Sequence, residues 1–399
     1  MAISSEPGRI LYIQYTNPGA YPPLLHSSQI LAKNGWRVLF LGTSGSTSLT
    51  LPEHPHICSR SLAFCAPGWK QKIHYLGFSL WCVYSAFRWR PDWVYASDLW
   101  SCLPSILIRW LFAIRLVYHE HDAPTSQAQV SRRSFLRFTY WARKRCARIA
   151  ELCVIPNENR ARLFQAETGC ATVKVVWNCP SLEEVTVTKN TLGPVLKLLY
   201  HGSVVPERLP LAVIHALKQV SHPVLLKVVG YETAGSVGYL TRIRRAAAEL
   251  NISDRLEIIG AIPHREDMMR VCATCDVGLA LMPIQSTDVN LAEMTGASNK
   301  PFDYLACGLA VLVSRLPSWQ KLFVNTGYGL DCEPSESSSI AAAIQYFCDH
   351  PEEAHAMGER GRQRILSDWN YQAQFQDVIR LLSQGSESPA RSSSRQSAY

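Results

Sequence analysis

Hydrophobic residues follow two alternating spacings along this chain. Runs in which nearly every position is apolar, as at 10–15 and 37–42, are typical of strands buried on both faces. Between them, segment 24–35 carries apolar residues at helical spacing and ends at Gly35, as a helix C-cap does. The alternation continues with further predicted strands at 92–97, 114–120 and 151–156. We therefore predict a doubly wound α/β domain with a parallel sheet.

A second series of the same kind follows a break in the pattern. Segment 178–195 loses periodicity and gathers Pro, Thr, Asn and Gly, as connectors do. Predicted strands then recur at 196–202, 224–230, 255–260, 276–281 and 309–314. The domain boundaries that we predict are an N-terminal domain at 1–180, a linker at 181–195, a C-terminal domain at 196–370, a helix at 371–383 and a disordered tail at 384–399.

Composition agrees with two domains inside a reducing compartment. The chain has 399 residues, 47% of them hydrophobic, which is enough for two cores. Its 13 cysteines are odd in number and follow no disulfide spacing, and the N-terminus has no basic and apolar leader. We expect a cytoplasmic protein. Segment 102–118 is interrupted by Arg109 and Arg115 and is shorter than the ~20 apolar residues of a spanning helix, so it predicts a buried helix and strand.

Several common ligand motifs are missing or incomplete. Cys272 and Cys275 form a lone C-x-x-C with no second pair at zinc spacing, so we expect no metal site. Neither domain has G-x-G-x-x-G after its first predicted strand, and segment 230–236 lacks the lysine of a phosphate-binding P-loop. Dinucleotide binding and P-loop chemistry are therefore disfavoured.

Segment 296–314, "GASNKPFDYLACGLAVLVS", predicts an anion site. It reads as a short helix, capped by Ser298 or Asn299 and ended by Gly308, that enters a buried strand. Helix N-termini beyond the carboxyl ends of such strands bind anions. Lys300 and Asp303 would then flank this position, where a lysine attracts phosphate and a carboxylate accepts sugar hydroxyl hydrogens. A phosphorylated sugar derivative fits that chemistry.

The motifs together resemble a known family over nearly the whole chain. They appear in the family's order: "NPGAYPPLLHSSQILAKNGWRVLFLG", "PDWVYASD", "LVYHEHD", "KVVWNCP", "LLYHGSVVPERL", "LEIIGAIPHREDMMRVCATCDVGLALMP" and "SNKPFDYLACGLAVLVS". In this register the chain resembles glycosyltransferase family 4, retaining enzymes of the glycosyl transferases group 1. The resemblance implies a GT-B fold, in which two Rossmann-like doubly wound domains face each other across a cleft.

The resemblance implies a nucleoside diphosphate sugar held mainly by the C-terminal domain. The acid that contacts the ribose falls on Asp303, whereas the first acid of the family's E-x7-E pair is replaced by Thr295. Arg208 matches a basic position of the diphosphate site, and Lys300 is expected to supply a second charge because Ser203 stands where many relatives have arginine. The donor-binding positions implied on this side are Gly202, Ser203, Asn299 and Asp303.

In the N-terminal domain, which holds the acceptor in the family, two further positions match. "YHEHD" resembles the family's "YDxHE", which assigns the active-site histidine to His121 rather than His119. Gly19 lies in the loop that approaches the diphosphate in relatives. Each of these residues also has an ordinary structural interpretation: Asp303 and Arg208 as first-turn residues, Lys300 as a surface lysine, His121 as a satisfied buried histidine and Gly19 as a turn residue.

The implied reaction is a metal-independent hexosyl transfer to an acceptor hydroxyl with retention, in cell-surface polysaccharide or glycolipid assembly. His121, Arg208 and Lys300 are the candidate catalytic residues, and no cofactor is expected beyond the sugar donor. Two alternatives remain open. A sugar-nucleotide 2-epimerase shares this architecture, and Thr295 and Ser203 also fit a catalytically weak sugar-nucleotide-binding partner.

Segment 131–149 contains seven basic residues and no acidic residue. On a helix, Arg133, Arg137, Lys144 and Arg148 share one face. A solvated face is one interpretation. Peripheral docking on an anionic membrane, where a lipid-linked acceptor would be found, is the alternative. No motif supports nucleic-acid binding.

Overall fold

The structure is a computed structural model that describes residues 8–44, 50–51, 53–124, 134–185, 193–233 and 235–384. The chain divides into two compact units. The first comprises Met1–Trp177 and Gln372–Tyr399, and the second comprises Asn178–Tyr371. Residues 131–133 of the predicted basic helix and residues 385–399 of the predicted tail lie outside the described residues.

The first unit contains a parallel sheet of seven strands in the order β3-β2-β1-β4-β5-β6-β7. Its strands are β1 (Arg9–Ile13), β2 (Arg37–Thr43), β3 (Ile57–Leu62), β4 (Trp93–Ser97), β5 (Arg115–His119), β6 (Leu152–Ile155) and β7 (Val173–Val175). Its helices are α1 (Pro22–Lys33), α2 (Trp69–Trp89), α3 (Cys102–Phe112), α4 (Ser134–Ile149), α5 (Glu158–Thr168) and the C-terminal α14 (Tyr371–Gln384). Leu11 of β1 lies opposite Leu39 and Val94, so the central strands put apolar side chains in register.

The second unit repeats the plan with six parallel strands in the order β10-β9-β8-β11-β12-β13. These strands are β8 (Leu196–Ser203), β9 (Val224–Tyr231), β10 (Leu256–Gly260), β11 (Val277–Ala280), β12 (Ala310–Ser314) and β13 (Gly329–Cys332). The helices are α6 (Leu211–Gln219), α7 (Tyr239–Glu249), α8 (Arg265–Cys272), α9 (Val289–Ala292), α10 (Lys300–Ala306), α11 (Pro317–Trp319), α12 (Ser337–Asp349) and α13 (Pro351–Ser367).

The predicted pair of doubly wound α/β domains is confirmed, and three strands escaped prediction. β3 is exposed and polar along most of its length, because it lies at the sheet edge. β7 has only three residues. β13 reads "GLDC" and carries too short an apolar pattern to be recognised. All three lie at or next to the sheet margins, where burial is one-sided and the apolar run that marks a central strand is not required.

Segment 102–118 forms α3 and most of β5, as predicted. Within the part of the chain that the structure describes, no helix combines the length and the apolar character needed to cross a bilayer.

Candidate functional site

Both sheets have a strand order that reverses at one point, between β1 and β4 in the first unit and between β8 and β11 in the second. In doubly wound sheets, ligands bind beyond the carboxyl ends of the strands at this switch point. Gly202 and Ser203 end β8 in the second unit, and Ser97 ends β4 in the first. The candidate residues therefore lie at two switch points, one in each unit.

Lys300 extends from the start of α10 to the carboxyl end of β8. A Cβ atom built on Gly202 would lie 3.2 Å from both Cε and Nζ of Lys300. Gly202 also has φ +107°, a conformation that residues with side chains rarely adopt. Only glycine fits at this position without strain or crowding, so the backbone at the strand end leaves room for the lysine head group.

Lys300 and Arg208 form a cationic pair beside this strand end. Arg208 Nη1 donates a hydrogen bond to Ser203 Oγ at 3.0 Å, and Lys300 Nζ lies 5.5 Å from the ring centre of Tyr200. Burial, with the nearby charge of Arg208, lowers the pKa of Lys300 to about 7. Because the charged form of Lys300 is disfavoured in this way, a bound anion would restore the lysine charge.

Neither cation has a carboxylate ion-pair partner among the described residues. Arg208 Nε is also buried without a hydrogen-bond partner there. Lys300, Arg208, Gly202 and Ser203, which the sequence places in one donor site, are therefore brought together by the fold. Their arrangement can bind a phosphate or diphosphate group.

Asp303 is fully buried, and its carboxylate contacts protein groups. Arg265 donates to both oxygens, with Nη2 2.6 Å from Oδ1 and Nη1 3.2 Å from Oδ2. Asn299 Nδ2 also donates to Oδ2 at 3.0 Å. The expected side-chain cap of α10 by Asn299 is therefore wrong, because Asn299 uses its amide to hold Asp303. Contact between Asp303 and a ribose stays a prediction.

Arg265 is the residue of this site that sequence analysis missed. It is the first residue of α8, and it pairs with Glu184 as well as Asp303, with Nη2 3.0 Å from Glu184 Oε2. One guanidinium thus joins two carboxylates. A basic residue in the first turn of a helix interacts unfavourably with the helix dipole. This placement is the feature of the sequence that could have identified Arg265 as a residue with a specific partner. Because Arg265 neutralises Asp303, the positive potential of Lys300 and Arg208 is left for a ligand.

Tyr304 fixes the strand ends that carry the site. Its hydroxyl donates to Leu279 O on β11 at 3.1 Å and accepts from His201 N on β8 at 3.2 Å. A Cβ on Gly278 would fall 2.1 Å from the Tyr304 ring, so only glycine leaves space for it. The His201 ring lies beside Asp303, with Nε2 3.4 Å from Oδ2, and burial holds the His201 pKa well below its usual range. The histidine is therefore a neutral neighbour of the carboxylate.

In the first unit, Asp98 follows β4 at the switch point and was not singled out from sequence. Its backbone has φ 61° and ψ 177°, a region that is essentially restricted to glycine. Its Oδ1 accepts from the backbone N–H of His121 at 2.8 Å. Burial, and then the charge of Asp122, raises the Asp98 pKa to about 7. A carboxyl group with a pKa near neutrality, held on a strained backbone, is suited to proton transfer or to hydrogen bonding of a sugar hydroxyl.

His121 lies beside Asp98 and is buried. Its Nε2 is 3.0 Å from Ser97 Oγ, and its ring centre is 3.9 Å from that of His119. Burial, with the charge of Arg160, lowers the His121 pKa to about 3, so the ring is neutral near pH 7. Its Nδ1 is buried and has no hydrogen-bond partner within the described residues. A neutral imidazole with one unused ring nitrogen can position a ligand by hydrogen bonding.

Gly19 lies in a short turn, Pro18–Ala20, after β1. Its N–H donates to Asn17 Oδ1 at 3.0 Å, so this donor is engaged by the turn. The turn interpretation of Gly19 is thereby supported, and its approach to a diphosphate stays a prediction.

The basic segment forms α4 from Ser134, and its charges differ in their surroundings. Arg143 is buried and pairs with Glu120, with Nη2 2.8 Å from Oε1. Arg148 Nε donates to Thr168 O at 2.7 Å. Arg137 is exposed, whereas Arg133 lies outside the described residues. Phe138 of the same helix is exposed.

The two parallel, doubly wound sheets form a Rossmann-like architecture of two units, of the GT-B type. At the switch point of the second unit, Lys300 and Arg208 form a site suited to an anion. Residues 216–380 match the family described as glycosyl transferase-like. A glycogen synthase of Mycobacterium tuberculosis (strain CDC 1551 / Oshkosh) is 23% identical over 310 residues, covering 71% of this chain and 66% of that relative. The chain thus spans slightly less than two thirds of that relative's length.

Solved structures show the same fold at low sequence identity. Sucrose-phosphate synthase from Thermosynechococcus elongatus has a TM-score of 0.72 at 17% identity, covering 94% of this chain and 98% of that chain. Anabaena Alr3699/HepE in complex with UDP-glucose has a TM-score of 0.70 at 16% identity, covering 94% of this chain and 99% of that chain. The GT-B fold and the resemblance to group 1 glycosyltransferases are confirmed.

Proposed function

We propose that the protein is a family 4 glycosyltransferase that transfers a hexosyl unit from a nucleoside diphosphate sugar to an acceptor hydroxyl, with retention and without a metal ion. The observation that carries the proposal is the cationic pair of Lys300 and Arg208 at the carboxyl end of β8, next to Gly202 and Ser203. Support also comes from the fold shared with the Anabaena protein that was solved with UDP-glucose.

The chemistry follows from where charge develops in the reaction. When the bond between the sugar and the diphosphate breaks, negative charge grows on the leaving diphosphate. Lys300 and Arg208 are held in place before the reaction, so they stabilise this charge with little reorganisation. Two cations supply the charge that a metal ion provides elsewhere, which is the reason for proposing metal independence. Asp303 is proposed to contact the ribose, and Gly19 and neutral His121 to position the diphosphate and the sugar.

The first experiment identifies the donor and separates the alternatives. Thermal shift with UDP-, GDP-, ADP- and dTDP-linked sugars should show one that stabilises the protein, since a ligand of the native state adds ~2.7 kcal/mol at a hundredfold excess over its Kd. Radiolabelled donor is then incubated with a membrane extract. Labelled glycan or glycolipid supports transfer, whereas an epimerised nucleotide sugar, or binding without turnover, would replace it with one of the alternatives.

Matched variants test the site itself. Lys300→Met and Arg208→Ala should reduce turnover, while Lys321→Met, which changes an exposed lysine elsewhere in the second unit, should not. If both site variants retain the wild-type turnover with the identified donor, the cationic pair is not the diphosphate site. Measuring turnover after EDTA treatment tests metal independence, and a loss that Mg²⁺ restores would contradict it.

The acceptor side of the proposal is a cell-surface polysaccharide or a glycolipid at an anionic membrane, approached by the basic residues of 131–149. Arg148 holds Thr168 O, so its reversal would also disturb the fold. Reversal of Arg137 and Lys144 to glutamate is the cleaner test. It should weaken sedimentation with anionic vesicles in a salt-dependent way, because exposed charges are screened over a Debye length of ~10 Å at 0.1 M. Unchanged sedimentation would remove this segment from the proposal.

A further inference from the structure

The long helix α2 presents an apolar face that nothing covers within the described residues. Six of its large side chains are between 52% and 68% exposed: Trp69, Ile73, Leu76, Leu80, Tyr84 and Phe87. We call this set the α2 apolar face. Single exposed hydrophobic residues are common on protein surfaces, whereas a continuous stripe of this kind marks an interaction site.

The spacing of these residues places them on one line along the helix. At about 100° per residue, the six side chains fall within an arc of about 80°. The opposite side of α2 is buried in the first unit through Tyr75, Phe78, Cys82 and Ala86. The helix is therefore apolar on two opposite sides. Core packing explains one side, and the other side needs a second apolar environment.

Neighbouring helices extend the same surface. Trp110 and Leu111 of α3 are exposed, and Phe112 of the same helix lies 6.1 Å, ring centre to ring centre, from Phe87. In α4, exposed Trp141 stacks on Phe138 at 5.7 Å. Arg145 of α4 lies 5.8 Å from the ring of Trp110. Aromatic and aliphatic side chains of three helices thus adjoin one another, with basic residues between them.

The charges around this surface identify the kind of partner. Between Glu53 and Asp92 the sequence contains no acidic residue, whereas Lys70, Lys72 and Arg88 occur within α2 itself. By the helical angle, these three basic residues border the α2 apolar face on both sides. Tryptophan and tyrosine with lysine and arginine are the residues enriched at the boundary between lipid headgroups and acyl chains.

We infer that the α2 apolar face inserts into the surface of an anionic lipid bilayer, with α2 lying in the plane of the membrane. The helix, about 32 Å long at 1.5 Å per residue, carries too many polar and basic residues to span a bilayer. A helix with an apolar stripe bordered by basic residues binds in the interface instead. This surface differs from the charged face proposed on α4, because it acts by apolar insertion rather than by charge alone.

The test uses the full-length protein and vesicles of equimolar phosphatidylcholine and phosphatidylglycerol. The wild type should float with these vesicles. The triple variant Ile73→Ser, Leu80→Ser and Phe87→Ser should bind at least roughly tenfold more weakly, since three inserted side chains are lost. A matched control, Leu163→Ser with Val237→Ser, removes exposed apolar side chains elsewhere and should bind as the wild type does.

Three outcomes would overturn the inference. The first is wild-type protein that does not float with the anionic vesicles. The second is a triple variant that binds as strongly as the wild type. The third is a dimer, seen by sedimentation velocity in the wild type and lost in the triple variant, which would assign the face to a second copy of this chain. Donor binding measured on the same samples reports on the proposed function separately, and it should be the same in the wild type and the triple variant.

Discussion

The pKa of Lys300 makes donor binding depend on pH in a predictable direction. Burial and Arg208 lower this pKa from 10.5 to about 7 in the ligand-free protein. A diphosphate bound between the two cations favours the charged lysine, so the bound form retains its proton to a higher pH. Full return to 10.5 would couple roughly 5 kcal/mol of proton binding to donor binding, at ~1.36 kcal/mol per pKa unit.

The size of the effect follows from the fraction of Lys300 that is protonated before binding. Affinity falls by the factor 1 + 10^(pH − pKa), which amounts to roughly 30-fold between about pH 6 and about pH 8.5. UDP-glucose is a suitable probe because its diphosphate does not titrate in this interval. Isothermal titration calorimetry in buffers of different ionisation enthalpy should also detect proton uptake on binding near pH 8.

Lys300→Met removes the titrating group and replaces it with an apolar side chain of similar length. The donor affinity of this variant should match that of the wild type at high pH and stay constant as pH falls. The exposed-site control Lys321→Met should keep the pH dependence of the wild type.

The stability of the folded protein provides an independent measurement. Because the folded-state pKa of Lys300 is depressed, the unfolded chain binds more protons between about pH 7 and 10.5, so this group makes stability rise with pH there. Lys300→Met should therefore stabilise the protein more at pH 6 than at high pH. If donor affinity depends on pH equally in the wild type and in Lys300→Met, Lys300 does not lie at the diphosphate.

Three further predictions concern other parts of the two sites. Arg208→Ala should lower kcat by roughly 10- to 100-fold with a smaller change in KM, because the charge it meets grows in the transition state; steady-state kinetics in which only KM changes would contradict this. Asp98→Asn should raise the free energy of unfolding, measured by urea denaturation, by ~1 to 3 kcal/mol more near pH 8 than near pH 5. The pKa of Asp98 is raised by burial, so the wild type loses stability as its carboxyl ionises on raising the pH, and an equal effect at both pH values would exclude this cause. Glu120→Gln should lower the free energy of unfolding, measured by urea denaturation, by ~1 to 3 kcal/mol, because buried Arg143 then keeps only the partly exposed Glu167 as an ion-pair partner; adding Arg143→Met should recover part of the loss, and no recovery would show that the pair itself is not the source.

Elements buried on both faces could be predicted from the sequence, and so could the residues that they carry at their ends. The apolar run 309–314 contains β12, and the preceding helix carries Lys300 where the motif predicts it. Gly202 and Ser203 likewise lie at the end of β8, a strand that its apolar residues make predictable. These predictions depend only on the pattern of consecutive residues, which is visible in the sequence itself.

Pairings between distant residues could not be predicted in this way. Arg265 and Asp303 are 38 positions apart, and only the packed fold shows that Arg265 takes both carboxylate oxygens. The strained backbone of Asp98 is likewise set by its neighbours, through His119 O, which accepts from its N–H, and the N–H of His121, which donates to its carboxylate. Local sequence gives no access to such long-range constraints.

The first unit is built from two separated stretches of chain, and this has a consequence for folding during synthesis. Residues 178–371 form a continuous segment, so the second unit needs no residue after Tyr371 to complete its contacts. The first unit instead waits for α14, where Asp377 binds Lys174 at 2.8 Å and Phe375 and Val378 are fully buried. Domains usually fold in the order in which they leave the ribosome. In this chain the unit that begins first is expected to finish last, and until then the surface that receives α14 is open to chaperones and proteases.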